Sequence, residues 1–256
     1  MRLATWNVNS VKSRLPRLLP WLDEKKPDVL CLQETKCAAD AFPAAEVGEL
    51  GYEVAAHGDG RWNGVALLSR VGLDGVVRGF DKEPGFPDPE TRAVSATCGG
   101  LRVWSVYVPN GRTPDSPHYA YKLNWLAALR DALAAELAAG RPTLVCGDFN
   151  VAPTDADVWD AAAFVGATHV TAPERDALAR LLEVGFTDVV PRPMKGPHPF
   201  TYWDYRAGMF HQNMGMRIDL VYASTGLPVE SAYVDREARK GKAPSDHAPI
   251  VVDLNV

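Results

Sequence analysis

Short apolar runs broken by turn residues recur along the whole chain. They predict strands at Arg2–Trp6, Val29–Gln33, Tyr52–Ala56, Gly64–Ser69, Ala93–Thr97, Arg102–Val108, Thr143–Cys146, Ile218–Ala223 and Ile250–Leu254. Most are rich in Val and Leu, as in strands buried on both faces. Other stretches carry helical spacing. Ala120–Ala139 places Leu126, Leu129, Leu133 and Leu137 on one face and stops at Gly140, Arg141 and Pro142. Ser10–Lys26 ends before Pro27. Pro16 is tolerable in a first turn, whereas Pro20 predicts a kink or an interruption. Ala172–Val184 has Pro173 near its start and Gly185 beyond its end. Strand–helix–strand units alternate with hairpin pairs, which predicts two layers of sheet with helices outside rather than a doubly wound parallel sheet. No Ser/Gly linker divides residues 1–256, so a single domain is expected.

Against this pattern stand polar residues at the ends of apolar strands. Asn7 and Asn9 follow the first strand in TWNVNS, and Glu34 follows the second in LQETK. Tyr107 and Asn110 close a central strand in YVPNG. Asp148 and Asn150 close another in GDFN, separated by Phe149. Asp219 sits between Ile218 and Leu220, and Asp246 and His247 precede the last strand in SDHAPI. Each alone reads as a turn, a cap or a solvent-facing side chain; Asp148 with Asn150 would make an Asx turn. Together, at loops held by rigid strands, they read as a site. Glu34 and Asp246, with the amide oxygen of Asn7, form an oxygen-rich set suited to Mg2+ or Mn2+. No HExxH or paired Cys/His spacing argues for zinc. Asp219 needs a partner, and His247 is available. A hard cation beside an Asp/His/Asn set points to hydrolysis of a phosphate ester.

Composition adjusts this reading at two points. The net charge of −5 argues mildly against bulk nucleic-acid binding, but DREARKGKAPSDH gathers Arg236, Arg239, Lys240 and Lys242 in a local basic run. Cys31, Cys37, Cys98 and Cys146 form no CxxC pair, which favours reduced thiols. The chain starts at its first strand with no signal-peptide pattern and no apolar span of membrane length. A cytoplasmic protein without membrane association is expected.

TWNVNS, LQETK, YVPNG, GDFN, RIDL and SDHAP, in this order, resemble the exonuclease III family of apurinic/apyrimidinic endonucleases, within the endonuclease/exonuclease/phosphatase superfamily. The likeness runs from Arg2 to Leu254. It implies a four-layer α/β/β/α sandwich whose two mixed central sheets are flanked by helices, forming one catalytic domain of compact bacterial form. It implies Asn7, Glu34 and Asp246 as metal ligands, Asn9 in the surrounding shell, and Asp148, Asn150 and His247 as a second candidate set. Tyr107 matches a phenol at the scissile phosphate and Asp148 an acid/base residue. Asn150 matches its supporting amide, and Asp219 the carboxylate that orients His247. Whether Asp148 or His247 accepts the proton of water stays open at this level.

The resemblance also implies the chemistry. This is Mg2+-dependent cleavage 5′ to abasic sites in duplex DNA, with 3′–5′ exonuclease and 3′-end-cleaning activity. Mn2+ is a substitute cation, double-stranded DNA with abasic sites or 3′ ends is the partner, and the protein acts as a monomer. TYWDYRAGMFHQNMGMRIDL occupies the place of a loop that enters DNA, and it offers Tyr202, Trp203 and Arg206 as DNA contacts, with Asn110 and Arg112 on the backbone. A superfamily phosphatase acting on a small-molecule or lipid phosphodiester is the alternative.

Overall fold

The computed structural model describes residues 1–80, 86 and 88–256. The strands are β1 (Arg2–Asn7), β2 (Val29–Gln33), β3 (Glu53–His57), β4 (Val65–Ser69), β5 (Asp74–Arg78), β6 (Ala93–Cys98), β7 (Leu101–Tyr107), β8 (Thr143–Asp148), β9 (Phe186–Asp188), β10 (Asp219–Ser224), β11 (Val229–Val234) and β12 (Ile250–Leu254). The helices are α1 (Val11–Lys25), α2 (Ala44–Gly48), α3 (Pro117–Ala138), α4 (Ala172–Glu183) and α5 (Met209–Gln212). One six-stranded sheet runs β11-β12-β1-β2-β4-β3 and the other β5-β6-β7-β8-β10-β9. β1 with β2 and β7 with β8 pair in parallel, so both sheets are mixed.

Period-two alternation sorts the apolar side chains into layers. Val29 and Cys31 of β2 face the other sheet with Val103, Cys146 and Val221, while Leu30 and Leu32 pack outward with Leu18 and Leu22 of α1. On the second sheet, Val106 and Val145 pack outward against Trp125, Leu129 and Leu133 of α3 and Leu178 and Leu181 of α4. The result is the four-layer α/β/β/α sandwich expected from the sequence. A polar rung crosses between the sheets: Gln33 Nε2 donates to Thr5 Oγ1 (3.1 Å) and to Ser105 Oγ (3.0 Å), all fully buried. All four cysteines are free and buried. Among the described residues, no helix is long and apolar enough to cross a membrane.

Two local expectations need correction. α1 runs unbroken through Pro16 and Pro20, and neither lies in the first turn. Both prolines are on the exposed face, where solvent can take the carbonyls they leave unbonded. The opposite face, with Leu18, Trp21 and Leu22, is buried and holds the helix. Alternation in GDFN predicts an extended segment from Asp148 to Asn150 with Phe149 turned inward, but the segment after β8 is not extended through Asn150. That residue adopts φ 51°, and its N–H donates to Asp148 Oδ1 (2.9 Å), so the Asx turn and the site coexist. Phe149 points into the core as alternation requires, edge-on to Tyr222 at 5.1 Å.

Candidate active site

Pairing register sets the site at one end of the sandwich. Tyr107 of β7 lies opposite Asp148 of β8, which lies opposite Asp219 of β10, so three strands present polar side chains at one level. From the other sheet, Asn7 ends β1 beside Gln33 of β2, and Glu34 follows with a left-handed φ of 49°. His247 arrives just before β12, fixed by a bond from its N–H to Ser245 Oγ (3.2 Å), whose hydroxyl donates to Asn7 O (2.6 Å). Side chains distant in sequence thus converge. Ligand atoms of Glu34, Asp148 and His247 all lie within 4.8 Å of one another.

Asn7 Nδ2 bridges the carboxylates, donating to Glu34 Oε1 (2.8 Å) and Asp148 Oδ2 (2.9 Å). Its Oδ1 instead accepts from the N–H of Asn9 (3.0 Å). Asn7 therefore joins the two carboxylates as a donor, and ligation through its oxygen requires the amide to turn over. Lys36 Nζ sits 2.8 Å from Glu34 Oε2 and 2.6 Å from Asn9 Oδ1. Asp246, expected as a metal ligand, stands one step aside: its Oδ1 accepts from Asn9 Nδ2 (3.1 Å). Asn150 carries its amide toward the loop after β7, accepting from Asn110 Nδ2 (3.2 Å) and donating to Val108 O (3.0 Å). Sequence reading missed Lys36 as a site residue, although it lies two positions beyond Glu34 in the motif itself.

Burial and charge set the protonation states. His247 Nδ1 lies 2.8 Å from Asp219 Oδ2, and its Nε2 lies 3.8 Å from Asp148 Oδ2. Burial opposes the imidazolium, but the charge and hydrogen bond of Asp219, with the charge of Asp148, outweigh it and raise His247 to about 10. Burial pushes Asp148 up to about 7; His247 opposes this, while Asp219 and Glu34 add to it. Burial would also raise Glu34, yet the Lys36 ammonium and the Asn7 amide hold it below the usual range. Burial, then the charges of Glu34 and Asp148, keep the Tyr107 phenol protonated well above its ordinary value. Arg217, just before β10, is bound to Asp157 (2.6 Å) and Asp188 (3.0 Å), which leaves Asp219 to His247.

The donor set suits a hard cation. Glu34 and Asp148 supply carboxylate oxygens, and a cationic ammonium is already drawn against Glu34. His247, its Nδ1 held 2.8 Å from Asp219 Oδ2, turns Nε2 toward Asp148.

The expected DNA contacts divide. Asn110 and Arg112 are exposed in the loop after β7, and Arg206 is 86% exposed, paired with Asp204 at 2.6 Å. Tyr202 is half-buried, its ring centroid 4.9 Å from that of His247. Trp203 requires correction: it is 1% exposed, edge-on to Phe210 at 5.2 Å and beneath Arg236 at 5.0 Å, so it braces the loop rather than meeting bases. A Cβ at residue 215 would lie 2.4 Å from Trp203 Nε1, which explains Gly215. The basic run is partly internal too: Arg236 and Arg239 are buried, and both stack on Phe210. Trp203→Ala is expected to cost about 3–5 kcal/mol of stability, seen as a lower Tm. Arg206→Ala should change stability by less than about 0.5 kcal/mol while weakening duplex binding in an anisotropy titration. The reverse pattern would return Trp203 to the interface.

Residues 4–247 match the endonuclease/exonuclease/phosphatase family. The chain is 32% identical to the DNA repair nuclease APEX1 of Danio rerio, over all of this chain and 83% of that one. Solved structures of the 3′-5′ exonuclease NExo from Neisseria meningitidis and of an AP endonuclease from Archaeoglobus fulgidus each superpose with a TM-score of 0.94 at 37% identity, covering all of both chains. A site joined from both sheet ends, on a fold shared end to end with these proteins, places the chain in the endonuclease/exonuclease/phosphatase family, in its exonuclease III branch of DNA repair nucleases.

Proposed function

We propose that this chain hydrolyses the phosphodiester 5′ to abasic sites in duplex DNA and leaves a 3′-hydroxyl. By the same chemistry it trims 3′ ends as an exonuclease and end-cleaning enzyme. Mg2+ is the cation, with Mn2+ able to substitute. The observation that carries this reading is the convergence of Glu34, Asp148 and His247 within 4.8 Å, with Asp219 behind the imidazole. The names of the similar proteins, an AP endonuclease and a 3′-5′ exonuclease, support the two arms.

Glu34 and Asp148 would hold the cation, which when bound supplies positive charge against the phosphate oxygens. The rest falls to the chain. Asp148, whose Oδ2 faces His247 Nε2 at 3.8 Å, accepts the proton of the attacking water. His247, kept protonated by Asp219, donates to a non-bridging oxygen, as do the Tyr107 phenol and the Asn150 amide. The water oxygen bonds to phosphorus, the bond from phosphorus to the 3′-oxygen breaks, and that oxygen takes up a proton that balances the one passed to Asp148.

A denaturing gel with abasic, nicked, blunt and 3′-phosphate duplexes tests this. One cut 5′ to the abasic site and 3′-end shortening are expected with Mg2+, and neither with chelator. Intact DNA on every lane, with turnover of a small or lipid phosphodiester, would overturn it.

A further inference from the structure

The buried pair Lys122–Glu174 lies outside the carboxylate cluster, yet it touches the loops that carry two of the site's amides. Lys122, on α3, and Glu174, on α4, are both fully buried. Lys122 Nζ lies 2.5 Å from Glu174 Oε1, 2.7 Å from Asn150 O and 3.1 Å from Asn110 O. An ammonium has three protons, and Thr168 Oγ1 at 3.4 Å is a fourth, longer contact beside these three acceptors.

Glu174 also closes the capping box of α4 with Thr171, but an apolar pair of similar volume commonly stabilises a core as well as a buried ion pair does, so packing alone does not account for Lys122. Its distinctive action is on the two carbonyls. They belong to the loops after β7 and β8. Above them the side chains are linked as well, Asn110 Nδ2 donating to Asn150 Oδ1 at 3.2 Å. The N–H of Asn150 in turn donates to Asp148 Oδ1. His169 Nδ1 lies 2.5 Å from the same Asn150 carbonyl, and Thr168 Oγ1 donates to Glu174 Oε1 (2.7 Å). The lysine stem is tightly seated: a Cβ on residue 111, where φ is 90°, would lie 3.0 Å from Lys122 Cδ and 2.9 Å from Thr168 Oγ1. The left-handed Asn150 is thus held from below by a cation and from above by a neighbouring amide.

We infer that Lys122 is a positioning residue: its buried ammonium ties the carbonyls of Asn110 and Asn150 together and thereby fixes both amides, and Asp148 beside them, for phosphate hydrolysis. This rests on the reaction proposed above. Lys122→Met/Glu174→Gln removes the tie without leaving a lone buried charge. In steady-state cleavage of an abasic duplex, the double variant is expected to keep KM within about threefold and lose about a hundredfold in kcat. A double variant with wild-type Tm and wild-type kcat would overturn the role. Lys122→Arg, which keeps the cation and displaces its donors, gives a second variant: reduced kcat at unchanged KM supports the role, and full activity contradicts it. The side-chain amide NMR signals of Asn110 and Asn150 distinguish loss of the tie from absence of DNA cleavage. Signals that move in the variants while even the wild type cuts no DNA leave the tie standing and sink the nuclease reading. Signals and kcat both unmoved in a protein that does cut sink the positioning role.

Discussion

Asp148→Asn is expected to lower kcat by about 10²–10⁴-fold, the range for loss of a general acid or base, with little change in KM. The exchange is nearly isosteric. The amide can still accept the N–H of Asn150, but its nitrogen would meet Asn7 Nδ2, which now donates to Oδ2. Stability should move the other way. The folded-state carboxyl is raised to about 7 from 3.8, so the native state favours the protonated form. Its contribution to stability is full below the unfolded value and is lost as pH rises through about 7. At pH 8 without added cation, the neutral amide should therefore melt no lower than the wild type. Such an inactive but equally stable variant is what a strained functional carboxylate predicts. Wild-type turnover by Asp148→Asn would remove Asp148 from the proton-transfer role.

Asp219→Asn is expected to move the alkaline limb of the pH–rate profile and to cost a similar factor in kcat. With Asp148 as acceptor and His247 as donor, the rate rises with pH as Asp148 ionises and falls as His247 loses its proton, the two limbs belonging to the coupled pair. Asp219 supplies both the hydrogen bond and the largest charge that hold His247 up. Without it the imidazolium loses its proton at lower pH, so the alkaline limb shifts toward neutrality. Asp219 also pushes Asp148 up, so the acid limb shifts down as well. Profiles of kcat/KM under saturating cation measure both. An alkaline limb unmoved by the substitution would mean that His247 does not act as the protonated donor.

The sequence made the central strands and the long helices legible because their residues are buried on repeating faces. What it hid follows from the same physics. β5, β9 and β11 all lie at sheet edges, and their residues are exposed, few, or interrupted by a bulge, so the apolar signal is thin. α3 begins at Pro117, earlier than its apolar stripe, because Ser116 caps it and accepts from the N–H of His118. In the site, Glu34, Asp148, Asp219 and His247 stood out as polar residues at apolar strand ends, and they meet. Burial was not readable in the same way. Trp203 looked like a DNA-facing aromatic from its neighbours Tyr202 and Arg206, but it closes a core beneath them. Nothing in the sequence marked Lys122, whose end reaches the carbonyls of Asn110 and Asn150 in two separate loops.

A divalent-cation site built from carboxylates of the two sheet ends is tested most directly by titration of Mn2+ followed by electron paramagnetic resonance, on wild type and Glu34→Gln side by side. One tightly bound ion is expected in the wild type, with a loss of at least about tenfold in affinity in the variant, since a charged oxygen donor is replaced by a neutral one. Equal binding in the two proteins would contradict it.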